Sequence, residues 1–114
     1  MPHFTAYLAE DALDDTVEQR LTRELVAVVA EVYGELSAVA AVRLVGVPPR
    51  RWGLAGAPAP AELVTISLEL REPALRVPGA VDRLITLITD AAAAVLGEHV
   101  REHVQVLVLA EPAA

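Results

Sequence analysis

LVTISLEL, residues Leu63 to Leu70, alternates Val64, Ile66, Leu68 and Leu70 with Thr65, Ser67 and Glu69. Side chains along a strand point to opposite faces in turn, so this stretch is a strand with one buried face. On its C-terminal side, Val81, Leu84, Ile85, Ile88, Ala92 and Val95 recur at helical spacing. The spacing predicts a helix over Pro78 to Leu96, with Pro78 near the first turn, where its missing N–H is harmless, and Gly97 closing it. Val104 to Leu109 follows as a short apolar run, a last buried strand.

The chain ahead of Leu63 carries the same order. His3 to Leu8 is rich in strand formers. Asp15 with Glu18 three residues on is a helix-start signature, with acids at the positive end of the helix dipole. Val17, Leu21, Leu25, Val28, Val32 and Leu36 then fall on one helical face, and Gly34 lies where the helix ends. Ala40 to Val47 is a strand whose only charge is Arg43, and Pro48-Pro49 stops it. Residues 48–60 are rich in Pro and Gly and form a loop, with room for a small hairpin.

The whole reads β-α-β, loop, β-α-β: a single α+β domain with pseudo-repeats at about residues 2–47 and 62–109. Right-handed crossovers place each helix on the same side of its parallel strand pair. Two such units side by side make a four-stranded mixed sheet with both helices on one face. The opposite face is expected to be apolar and in need of cover. Hydrophobic residues make up 54% of 114 residues, which is much for so small a chain. Both points lead us to expect an oligomer.

Composition narrows the function. The net charge is −7, so a phosphate backbone offers no attraction and nucleic-acid binding is not expected. All nine cations are arginine, which excludes a lysine Schiff base. Without cysteine there is no disulfide and no thiolate zinc site. No apolar run is long enough for a bilayer, and no export signal is recognisable at the N-terminus. A cytoplasmic location, with no membrane association, is the expectation. His99 and His103 are four apart, but no third ligand accompanies them, so no metal is expected. No Gly-rich phosphate loop follows a strand, and no cofactor is expected.

Three features carry a resemblance to a known family. Pro2 follows Met1 and leads straight into the first strand. Val42-Arg43-Leu44-Val45 precedes Trp52-Gly53-Leu54-Ala55-Gly56, an aromatic-Gly-apolar-small-Gly turn. The length suits two fused β-α-β units. In these respects the chain resembles the tautomerase superfamily, which includes 4-oxalocrotonate tautomerase, malonate semialdehyde decarboxylase, the 3-chloroacrylic acid dehalogenases and macrophage migration inhibitory factor. The resemblance implies a homotrimer acting on a small keto or enol carboxylate. It also implies that Pro2, once Met1 is removed, is the catalytic base or acid. An α-amino group ordinarily titrates at roughly 7.7–8, and desolvation or a nearby cation favours its neutral form.

The same resemblance implies roles for other residues. An arginine at the position of Arg43 contacts substrate in 4-oxalocrotonate tautomerase; an outward ion pair is the alternative. Arg71 and Arg76 follow the third strand, where the fused members carry their substrate-binding arginines; solvated loop charges beside Glu69 and Glu72 are the alternative. Trp52 is expected either to wall the pocket or to pack structurally. The dehalogenases also carry a histidine in the first helix, a tyrosine in the last strand and a catalytic acid near the C-terminus; here the first two are missing and the sequence stops shortly after Glu111, so water activation of that kind is not expected. Proton transfer at a carbon beside a carbonyl is therefore the leading expectation. A decarboxylase or hydratase of the same superfamily, or a non-catalytic trimeric binding protein, are the other readings.

Overall fold

In a computed structural model, residues 1–112 are described. The first strand, β1, runs over His3–Ala9, and a 3-10 turn, Glu10–Ala12, leads from it towards helix α1, Asp15–Tyr33. The N-cap of α1 is Asp14, whose carboxylate accepts from the Val17 amide at 2.8 Å. The cap thus lies one residue before the Asp15 of the expected signature. The acid that reaches the third amide of the helix is Asp14, and a cap of this kind contributes about 1 kcal/mol.

At the other end Gly34 adopts φ +67°, a left-handed conformation that stops α1. Leu36, expected on the helical face, instead sits in a 3-10 turn, Gly34–Val39. Strand β2, Ala41–Val47, follows, then a 3-10 turn over Pro49–Arg51. The expected hairpin is present as β3, Gly53–Leu54, and β4, Ala57–Pro58. Its two-residue turn, Ala55-Gly56, has positive φ at both positions, as a tight hairpin of the right twist requires.

Strand β5 is Val64–Leu70, followed by a single helical turn, α2, Glu72–Leu75. Helix α3 covers Ala80–Leu96, starting two residues later than the pattern predicts. Pro78 lies outside it because Gly79, at φ +76°, turns the chain before the first helical residue. A last 3-10 turn, Glu98–His103, leads to β6, Val104–Ala110. Arg101 pins that turn to α3, bonding Glu98 at 2.8 and 3.0 Å and Asp90 at 2.6 Å. Its bond to Glu98, and then that to Asp90, hold the guanidinium above its ordinary value, and the same arginine holds the Glu98 carboxyl below its own.

The main sheet has the order β2-β1-β5-β6. β1 and β5 are antiparallel at its centre, and each has a parallel neighbour outside it. α1 and α3 both pack on one face. That face carries Phe4, Ala6 and Leu8 from β1 and Val64, Ile66, Leu68 and Leu70 from β5, all buried. Leu21, Leu25 and Val29 of α1 and Leu84, Ile88 and Ala92 of α3 close over them, each with no exposed surface. The expected α+β sheet with both helices on one face is thus the observed architecture.

The opposite face differs from the expectation. It is mixed rather than apolar: across the strands one row reads Arg43, Thr5, Ser67, Leu107, the next Val45, Tyr7, Thr65, Gln105, and Glu69 lies beside Leu109. The apolar part is concentrated toward the sheet edges, where Leu107 and Leu109 remain 46% and 44% exposed. Edge strands with unused hydrogen-bonding groups and exposed leucines are surfaces that proteins normally cover. No described helix is long and apolar enough to cross a membrane.

Candidate active site

Because β1 and β5 run antiparallel, the start of one lies beside the end of the other. His3 pairs with Glu69, so Pro2 falls next to Leu70 and Arg71. The carbonyl of Pro2 accepts from the Ala41 amide at 2.9 Å, which extends the β1–β2 ladder and holds the proline ring in place. The ring is fully buried. It faces the helix side, like Phe4, and lines a cavity of about 250 Å³.

The cavity walls are Leu36 and Val39 from the 3-10 turn after α1, Leu70 from β5, Ala74 from α2, and Met1 itself. Arg71 is the one cationic side chain among its lining residues. Arg71 is the residue just before α2, and that short helix is tied to the end of α1: the Tyr33 hydroxyl donates to the Ala74 carbonyl at 2.9 Å. Burial pushes the Tyr33 phenol above its ordinary value, so it stays a donor throughout the physiological range. The Met1 ammonium bonds Glu111 Oε1 at 2.8 Å, just past the end of β6.

The structure brings Pro2 and Arg71 together and sets the other three candidates apart. Arg43 lies on the opposite face of the sheet, where its guanidinium is 3.2 Å from His3 Nε2. Arg76 is exposed and turned to Glu72, one helical turn back. Trp52 lines a separate cavity of about 330 Å³ with Tyr7, Val47, Arg51 and Thr65. That cavity is at the far end of β1, on the order of 13 Å along the strand from His3. Within one chain, Trp52 is therefore not a wall of the Pro2 cavity.

Leu36, Val39, Ala74 and Glu111 are members of the site that the sequence reading does not single out. Leu36 is visible in the sequence but is attributed there to the helix face. Glu111 is 110 residues from Met1, and only the parallel pairing of β6 with β5 brings it beside the N-terminus. Among the described residues, no group of three or more His, Asp or Glu could hold a metal ion.

No protein-family model matches the chain, and no curated protein matches it. Solved structures do. A fused 4-OT, a wild-type asymmetric trimer, superposes with a TM-score of 0.83 at 23% identity, over 96% of this chain and 86% of that one. A native fused 4-OT gives a TM-score of 0.83 at 22% identity, over 96% and 87%. The chain has the fused 4-OT fold. A member of the cis-3-chloroacrylic acid dehalogenase family shares it too, with a TM-score of 0.85 at 23% identity, over 96% of this chain and 75% of that one. At these identities the fused 4-OT fold is what the likeness establishes, and it is the fold that the Pro2, Arg43 and Trp52 motifs led us to expect.

Proposed function

We propose that this chain is a tautomerase or isomerase that moves a proton at a carbon next to a carbonyl in a small keto or enol carboxylate, with the Pro2 amine as base or acid. The observation that carries this reading is a buried proline at position 2, lining a mostly apolar cavity in which Arg71 is the one cationic side chain among the lining residues. Removal of Met1 would leave a secondary amine there and would open the space that Met1 now fills. Arg71 can grip a carboxylate with two parallel hydrogen bonds. The apolar walls strengthen both charge interactions by keeping water away. Proton transfer by a group positioned in this way contributes typically 10²–10⁴-fold.

A homotrimer is part of the proposal. The fused 4-OT structures that share the fold are described as trimers. Two unpaired edge strands and the exposed Leu107, Leu109 and Leu54 of this chain give it surface to bury. In such an assembly Arg43 and Trp52 would serve a Pro2 cavity on another subunit, and Arg76 would flank the mouth of its own.

The test starts with the mass of the purified protein, which must lack Met1. Turnover of phenylenolpyruvate and 2-hydroxymuconate, followed by absorbance, then separates isomerisation from decarboxylation or hydration. Arg71→Ala is expected to lower kcat/KM about 10- to 100-fold, mostly through KM, because one charge-assisted pair to the substrate is lost. A retained Met1, or an Arg71→Ala protein with unchanged kcat/KM, would remove this reading.

A further inference from the structure

We propose that a second cavity, at the opposite end of the β1–β5 pair from Pro2, binds a small organic ammonium with an apolar tail. Such binding uses neither the chain start nor Arg71, so it stands apart from the reading of Pro2.

The cavity arises from the internal repeat. Each half of the chain gives a central strand, a long helix stopped by a glycine, Gly34 or Gly97, and a six-residue 3-10 turn, Gly34–Val39 or Glu98–His103. Antiparallel pairing of β1 with β5 puts the start of each beside the end of the other. The Pro2 cavity occupies one such corner, with Leu70 from the end of β5, Leu36 from the turn after α1 and Ala74 from α2. The other corner holds a cavity of about 230 Å³. There Leu8 comes from the end of β1, Val64 from the start of β5, His99 and Val100 from the turn after α3, and Ala12 from the turn after β1.

The two corners match in construction and differ in charge. Met1 stands two residues before β1, and Glu62 stands two residues before β5. Glu62 lines the second cavity, and no arginine does. Arg71 directly follows β5, whereas the residue directly after β1 is Glu10. Among the described residues no cation is paired with Glu62. Arg101, in the same turn as His99, is committed to Glu98 and Asp90. The net charge of −7 adds to the attraction for a cation.

Glu62 is half-buried, while Leu8, Val64 and Val100 beside it in the lining are buried. A partly shielded carboxylate against apolar walls favours a cation supplied from outside, and an ammonium N–H makes a charge-assisted bond to it. The His99 ring packs against Gly97, where a Cβ would come within 2.7 Å of it. When uncharged, that ring adds an acceptor nitrogen for a second ammonium N–H. Size sets the tail. At about 30 Å³ per non-hydrogen atom, the share of a molecule in liquid water, the space takes about eight atoms. A phenyl ring with two methylenes is of that size and leaves the nitrogen for Glu62.

The experiment uses the whole protein with ¹³C-labelled Leu and Val methyl groups, titrated with 2-phenylethylammonium at mildly alkaline pH and followed by NMR. The methyls of Leu8, Val64, Val95 and Val100 are expected to shift saturably, with a Kd on the order of 1 mM for so small a ligand. Those of Leu36 and Val39, at the Pro2 cavity, should not follow them. Glu62→Gln should weaken binding about tenfold or more, because a charge-assisted bond is lost. The uncharged 2-phenylethanol should bind wild type no better than the ammonium binds the variant. No saturable shift at the four residues would overturn the proposal. So would equal affinity of wild type and Glu62→Gln for the ammonium, or equal affinity of wild type for the ammonium and the alcohol. None of these results bears on Pro2, whose role is read from turnover.

Discussion

On the proposed mechanism, Pro2→Ala is expected to lower kcat/KM on phenylenolpyruvate and 2-hydroxymuconate by roughly a hundredfold, with little change in stability. Alanine leaves an amine at the chain end, so some acid–base capacity survives. What it loses is the ring that fixes the nitrogen against β1 and lines the cavity. A primary amine on a freely rotating terminus spends less time aligned with the substrate carbon, and misplacement by an ångström is costly in such steps. The Ala41–Pro2 backbone bond is made by the carbonyl and should persist. The measurement is steady-state turnover of both proteins, after mass spectrometry has shown Met1 loss in each. Equal turnover would mean that the proline is only a packing residue.

The second large effect is expected in the core. Phe4→Ala should cost about 3–5 kcal/mol of folding free energy. Phe4 has no exposed surface and lies in register with Val42 on one side and Leu68 on the other. It is the largest apolar side chain of β1, and α1 and α3 both pack on the face it belongs to. Since whole domains are stable by about 5–15 kcal/mol, a large share would be lost. Urea midpoints at one fixed protein concentration would show it, because an oligomer's stability depends on concentration. A shift of under about 1 kcal/mol would mean that the core collapses into the space left by the ring.

The strands and long helices were legible because period two and period 3.6 each leave a repeated mark. Val64 to Leu70 and the run from Val17 to Val32 are of this kind. Leu36 and Pro78 were assigned to helices they do not belong to. In each case a glycine with positive φ, Gly34 or Gly79, ends the regular geometry while the apolar spacing continues across it. The short turns 34–39, 72–75 and 98–103 were not legible at all, because a single turn has no period. They matter most for the site, for the first two supply Leu36, Val39 and Ala74.

Pro2 and Arg71 were recognisable from motif positions, and the antiparallel pairing of β1 with β5 explains why they meet. Glu111 was not recognisable. A single acid after a terminal strand has no signature, and its place follows only from β6 running parallel to β5. The face opposite the helices is expected to be apolar because both helices cover the other one. That layering does not report which strands lie at the centre, where Thr5, Ser67 and Glu69 sit together and leave Leu107 and Leu109 at the rim.

The ion pair between residue 1 and Glu111 means that the beginning and the last described strand of the chain converge on one spot. A circular permutant, bridged there and reopened within the 48–60 loop, would keep every pair of the four-stranded sheet and both long helices. It would place an ordinary peptide link where the proposed mechanism needs the Pro2 amine. Such a molecule would separate architecture from chemistry: it should assemble and melt like its parent yet be inert.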